Sequence, residues 1–213
     1  MRDTPHSETD RGQAYTLEGF VSAMVVLMAV LFALQSVVIT PTTGGLADRT
    51  SQAQLEQEAQ DALVVAANGT AANESMTLSE MVRYWDDDEG EFYNSDPEAG
   101  NGAYNTSRNS TFYEKTVLGK ILRERFAERG LSYSVELVYQ NESNEYRSKP
   151  FVDQGKSAAV TASYTVTLYD ADKLTPDSQE GNISSAKTYP IPEANPADDS
   201  ELYNVVEVRV SVW

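Results

Sequence analysis

The feature that most constrains this chain is an apolar run of 21 residues near its N-terminus, from Gly19 to Ile39. The run contains no charged residue, and only Ser22, Gln35 and Ser36 are clearly polar. A helix of that length spans about 30 Å, which is the thickness of the hydrocarbon core of a bilayer. Buried helices of soluble proteins seldom run so far without a charge. The sequence therefore predicts one transmembrane helix, with the membrane as a partner.

The rest of the chain is polar and strongly acidic. The 213 residues include 33 Asp and Glu against 16 Lys and Arg, which gives a net charge of -17. A chain of this charge repels phosphate, so we expect no nucleic-acid partner. An acidic surface stays hydrated at high salt, where screening weakens its self-repulsion, and this favours a saline habitat.

The residue types that support most catalysis are missing. The chain has no cysteine, and His6 is its only histidine. These counts exclude thiolate nucleophiles, disulfides and cysteine-based metal sites, and they leave no imidazole beyond the first residues. The sequence also lacks the glycine-rich phosphate-binding motifs and the nucleophile elbow. We therefore predict that the protein is not an enzyme and has no catalytic residue, cofactor or metal ion.

Topology follows from the basic residues and the glycosylation motifs. Arg2 and Arg11 precede the apolar run closely, whereas the first basic residue after it is Arg49, which favours a cytoplasmic N-terminus. Six N-x-[ST] motifs follow the run, which predicts an extracellular glycoprotein. Their candidate acceptors are Asn68, Asn73, Asn105, Asn109, Asn141 and Asn182.

The residues just before the apolar run resemble a known signal. The segment Asp10–Glu18, DRGQAYTLE, is similar to the class III signal sequence of type IV pilins and archaeal pilin-like proteins. That resemblance implies cleavage by a prepilin peptidase between Gly12 and Gln13, on the cytoplasmic side. It also implies a glutamate near the fifth mature residue, and Glu18 would be the sixth. With its acidic exterior, the chain resembles the small pilin-like surface proteins of halophilic archaea.

Glu18 has two interpretations. In a filament it would be neutralised by the N-terminal ammonium of a neighbouring subunit, and it would then be an assembly residue. Alternatively, it only opens the helix, where a carboxylate is stabilised by the helix dipole. The resemblance implies a minor pilin-like subunit of a surface filament or secretion apparatus, whose partners are the peptidase and other pilin-like subunits or further copies. The alternative is a singly anchored surface glycoprotein that binds a ligand or envelope component without polymerising.

After the apolar run the pattern is first helical. Pro41 and the pair Gly44-Gly45 are expected to interrupt the first helix, and the stripe Leu55, Ala59, Ala62, Leu63 and Ala66 predicts a second helix over residues 46–67. That helix is either a stalk beneath a head or an amphipathic helix of the head. Two capping-box patterns, beginning at Thr77 and Thr111, predict two further helices, of which the second is closed by Gly130.

After Gly130 the hydrophobic period changes to two. Alternating apolar residues predict three strands, at residues 131–139, 160–168 and 206–212. The predicted fold class is α+β, with an N-terminal transmembrane helix and an exterior head of helices packed on an antiparallel sheet of about three strands. The domains are a leader at 1–12, the apolar helix at 13–40 and the acidic head at 41–213.

Two long polar segments complete the sequence. Residues 86–110 and 170–200 are rich in turn formers and are predicted to be loops. The acidic stretch Asp86–Glu91 has the oxygen ligands that calcium prefers, but Gly90 does not stand where an EF-hand loop requires glycine. We therefore interpret it, and the pair Asp198-Asp199, as solvated surface.

Overall fold

A computed structural model of the protein describes residues 7–35, 42–69, 75–95, 102–155, 157, 160–175, 181–196 and 201–213. The chain divides into two units, Met1–Ala47 and Asp48–Trp213. Helix α1, Ser7–Gln35, lies in the first unit, and α2, Thr42–Asn68, begins there. Gly44 and Gly45 lie inside α2, so the expectation that this pair interrupts the helix is wrong, and Pro41, which was expected to interrupt it as well, lies outside the described residues.

The predicted transmembrane helix needs correction. Within the described residues, no helix is long and apolar enough to cross a membrane. From Gly19, the apolar part of α1 continues for 17 residues to Gln35. The remaining residues of the predicted span, 36–39, lie outside the described part of the chain.

The second unit is an α+β head built on a four-stranded antiparallel sheet. Its strands are β3, Tyr133–Gln140, β4, Tyr146–Val152, β5, Val160–Tyr169, and β6, Leu202–Val212. They lie in the order β4-β3-β6-β5. The alternation predicted for β3 and β6 is confirmed, because Val135, Leu137 and the valines at 206, 208, 210 and 212 are fully buried. In β5 it is confirmed at Ala162, Val166 and Leu168, which are buried, whereas Tyr164 is only partly buried. One face of this sheet therefore forms the floor of the core.

Strand β4 was missed by the sequence prediction, which gave about three strands. Its first three residues are exposed and its last two are buried, so no alternation marks it. Pro150 also argues against a strand interior, although proline is tolerated on the edge strand where it lies. A second sheet joins the short strands β1, Trp85–Asp86, and β2, Glu91–Phe92. Strands of two residues are too short to show a period.

Helices cover the buried face of the main sheet. The predicted stripe of α2 is confirmed, since Ala59, Ala62, Leu63 and Ala66 are buried. The capping box at Thr77 is confirmed as well, and it opens α3, Leu78–Val82. The box predicted at Thr111 is wrong. Thr111 is already helical in α4, Thr111–Lys115, and Thr116 caps the next helix, α5, Val117–Arg125.

The two predicted loops contribute to the core. Phe92 and Tyr104, from the first segment, are buried with Phe112 and Phe151 in an aromatic cluster, with ring centroids 4.6 to 6.4 Å apart. The second segment buries further apolar side chains, Leu174, Ile183 and Ile191. Aromatic side chains bury large areas, so these irregular segments stabilise the head as its regular elements do.

Candidate functional site: the exposed apolar helix

Helix α1 presents an apolar surface on every side. All described side chains from Thr16 to Phe32 are exposed, including Leu17 at 67%, Phe20 at 65% and Phe32 at 70%. The segment is helical because it is rich in Leu, Ala and Met and contains no proline. Exposed apolar patches of this size mark sites of interaction, because water leaves them when they are covered.

One side of α1 is suited to close packing. The small residues Ser22 and Ala23 form a shallow depression with Val26, Leu27 and Val30. Small side chains let the backbones of two helices approach closely, and this increases their dispersion contacts. A ridge of side chains on another helix can therefore pack into this depression.

Glu18 is exposed near the start of this apolar surface. It is the only charged residue between Arg11 and Asp48. When the surface is covered, the carboxylate needs a cation from outside this segment, since burying an unpaired charge is strongly unfavourable. The predicted cleavage site lies on the same helix, because Gly12 and Gln13 belong to α1.

The candidate glycosylation sites are scattered over the head. Asn68 ends α2, Asn105 and Asn109 precede α4, Asn141 lies in the β3–β4 hairpin and Asn182 begins a 3₁₀ turn, while Asn73 lies outside the described residues. The side-chain oxygens of Asn105, Asn109 and Asn141 accept backbone N–H bonds of their own loops. These asparagines therefore shape turns, and their glycosylation stays a prediction.

The acidic stretch has a structural role that the sequence did not indicate. The carboxylate of Asp87 accepts hydrogen bonds from the backbone N–H groups of Lys187 and Thr188, at 2.8 and 2.7 Å, and from the Thr188 hydroxyl at 2.9 Å. Partial burial alone would raise the pKa of Asp87, but these bonds and the Lys187 charge lower it below its usual value. Asp87 thus fixes the β1–β2 turn to a segment 100 residues away.

No group of three or more Asp, Glu or His side chains in the described residues is arranged to hold a metal ion. Asp87 departs from the predicted solvated surface, because its carboxylate accepts hydrogen bonds from backbone N–H groups. The pair Asp198-Asp199 lies outside the described residues.

The model of a family of unknown function, DUF7288, matches residues 11–212. The chain belongs to the DUF7288 family. No curated protein and no solved structure matches it. The DUF7288 match covers both the apolar helix and the whole sheet-bearing head.

Proposed function

We propose that this DUF7288 protein is a pilin-like structural subunit of a surface filament, assembled through α1. The observation that carries the proposal is the exposure of every described side chain from Thr16 to Phe32, with Glu18 as the only charge. A stable assembly must cover this surface. Helices of other copies, or of different pilin-like subunits, would do so by packing their own apolar faces against it.

The charge of Glu18 sets the geometry of the proposed assembly. Packing would remove the Glu18 carboxylate from water, and α1 supplies no cationic side chain beyond Arg11. If a prepilin peptidase cuts after Gly12, Gln13 carries a new N-terminal ammonium. Gln13 precedes Glu18 by five residues, or about 7.5 Å along a helix. A neighbour displaced by about that distance would place its ammonium beside the carboxylate.

The first experiment replaces Glu18 and measures assembly. We expect Glu18→Ala to be made at normal levels but to be depleted in sheared extracellular filaments, because a neighbour's ammonium loses its partner. Removing one member of a buried charge pair costs about 3–5 kcal/mol, which weakens association by about 100-fold or more. Quantitative immunoblots of sheared and cell-bound fractions measure the effect.

Two variants make this experiment specific. Glu18→Gln keeps the shape of the side chain without its charge, and we expect it to fail as Glu18→Ala does. Glu56→Gln makes the same change at an exposed carboxylate of α2, outside α1, and it should assemble normally. If the wild-type protein is never recovered in filaments, the alternative of a surface protein that does not polymerise replaces this proposal.

A further inference from the structure

Strand β5 lies at an open edge of the main sheet. It contains ten residues, and all of them pair with β6 on one side. On its other side, no strand or isolated bridge pairs with it in the described part of the chain. An edge strand directs unpaired N–H and C=O groups outward, and these groups form a template for another strand.

The two edges of this sheet differ in how they are protected. The opposite edge strand, β4, contains Arg147, Lys149 and Pro150, and Tyr104 pairs with its last residue, Val152. Charges, proline and covering segments are the usual means by which proteins block edge pairing. Strand β5, with the sequence VTASYTVTLY, contains no charged residue, no proline and no glycine. Among the described residues, α3 approaches β5, but β5 itself carries none of the charges or prolines found on β4, although 23% of the chain is charged.

The C-terminal end of β5 is the exception. The pairing with β6 shifts register between Leu168 and Tyr169, where Tyr203 of β6 is the extra residue, and the Asp172 carboxylate accepts the N–H of Tyr169 at 2.9 Å. Bulges and local hydrogen bonds terminate strand pairing. The edge that remains available runs from Val160 to Thr167.

The surface around this edge is almost neutral. Thr161, Thr165 and Thr167 are exposed, and the neighbouring Val205 of β6 is 45% exposed. The nearest ion pair on β6 joins Arg209 to Glu207 at 3.1 Å, so these two charges compensate each other. On a molecule of charge -17, a surface without net charge repels a second copy less than an acidic surface does.

We infer that two copies of this protein pair through β5 in antiparallel orientation, so that their sheets join into one. The strand is complementary to itself, because its uncharged, β-branched side chains face the same residues of the other copy. A partner with a charged strand would gain no ion pair here. The resulting contact is a two-fold symmetric interface.

Charge decides the orientation. Asp170 and Asp172 follow directly after β5. Parallel pairing would place these carboxylates beside those of the other copy. Antiparallel pairing separates them by the length of the strand, about 34 Å, which is several times the Debye length of about 8 Å at physiological ionic strength. This interface does not use α1, so it can fail or hold independently of the filament proposal.

The test uses the absence of cysteine, which makes a single introduced cysteine a unique probe. The full chain carries Thr165→Cys near the centre of the available edge or Thr161→Cys near its start, and Ser148→Cys on β4 is the control. After reaction with a short bismaleimide, Thr165→Cys should form covalent dimers at least about tenfold above Ser148→Cys. Thr161→Cys should not, because antiparallel pairing of residues 160–167 with the same residues of the other copy holds the two Thr161 positions about 17 Å apart and the two Thr165 positions only about 10 Å apart. Dimer yield should rise with salt, which screens the repulsion between copies.

Adding Thr167→Lys to Thr165→Cys should remove the cross-link while the circular dichroism spectrum stays unchanged, because a charge on the edge opposes pairing. Adding Glu18→Ala should leave the cross-link in place. The inference is overturned if Thr165→Cys gives no more dimer than Ser148→Cys at any salt concentration. It is also overturned if Thr161→Cys cross-links equally well, or if Thr167→Lys has no effect.

Discussion

The corner between α4 and α5 depends on a glycine, and replacing that glycine tests the packing of the head. Gly119 lies in the first turn of α5, where Thr116 accepts its N–H at 2.8 Å. A Cβ atom added at Gly119 would lie 2.1 Å from the carbonyl oxygen of Phe112 and 2.7 Å from its carbonyl carbon. Real Cβ atoms essentially never come closer than 3.0 Å to such atoms. In Gly119→Ala, α4 and α5 must therefore move apart.

The magnitude follows from what that movement breaks. The Phe112 carbonyl accepts bonds from the Thr116 hydroxyl at 2.7 Å and the Thr116 N–H at 3.3 Å, and the Phe112 ring is fully buried. Losing both bonds costs about 2 kcal/mol, and strain in the packed core adds about 2 kcal/mol. Alanine stabilises a helix by about 1 kcal/mol relative to glycine, which offsets part of this loss. The net loss is about 3 kcal/mol, or about 6–12 °C in the melting temperature of a head of this size.

Thermal unfolding of the full chain in detergent, followed by near-ultraviolet circular dichroism, measures this loss through the buried aromatic residues. The matched control is Gly130→Ala, where nothing lies within 4 Å of the added Cβ but φ is +80°. That variant should lose only about 1–2 kcal/mol, through backbone strain. If Gly119→Ala melts at or above the wild-type temperature, the close approach of α4 and α5 is refuted.

Asp87→Asn should destabilise the head at neutral pH, and the gap in unfolding free energy from wild type should close as the pH falls below about 4. The reason is that the folded pKa of Asp87 is lowered, so its stabilising effect is present above the unfolded value of about 3.9 and is lost on acidification through the folded pKa. Urea titrations between pH 2 and 7 measure this gap, and a gap independent of pH would contradict the role of the charge. For processing, N-terminal sequencing of the protein extracted from cells should begin at Gln13, whereas recovery of intact Met1 would remove the peptidase from the proposal.

Local patterns were sufficient for the elements that bury one face. The period of two at Val206, Val208 and Val210 predicted β6, because alternate side chains of a strand face the same side. The capping box at Thr77 predicted the start of α3, because it depends only on residues three apart. The apolar run and Glu18, which make up the candidate site, were likewise readable from neighbouring residues.

Strand β4 and the α4–α5 corner were decided by tertiary structure. Neighbouring residues gave no sign of β4, since its exposed first half owes its conformation to pairing with β3. The cap at Thr116 prevailed over the pattern at Thr111 because Met76 exchanges backbone hydrogen bonds with Lys115 and Val117 there. Packing between distant segments, rather than local propensity, places the helix break.

The relation of the strands to one another was also absent from the sequence. Strand β5 was predicted correctly, yet its position at an edge depends on β6, which lies between β5 and β3 in the sheet. In the chain, 32 residues separate the end of β5 from the start of β6. The bond of Asp87 to Lys187 spans 100 residues in the same way. Sequence patterns show which face of a helix or strand is apolar. The contacts between elements are decided when those apolar faces are buried together in one core.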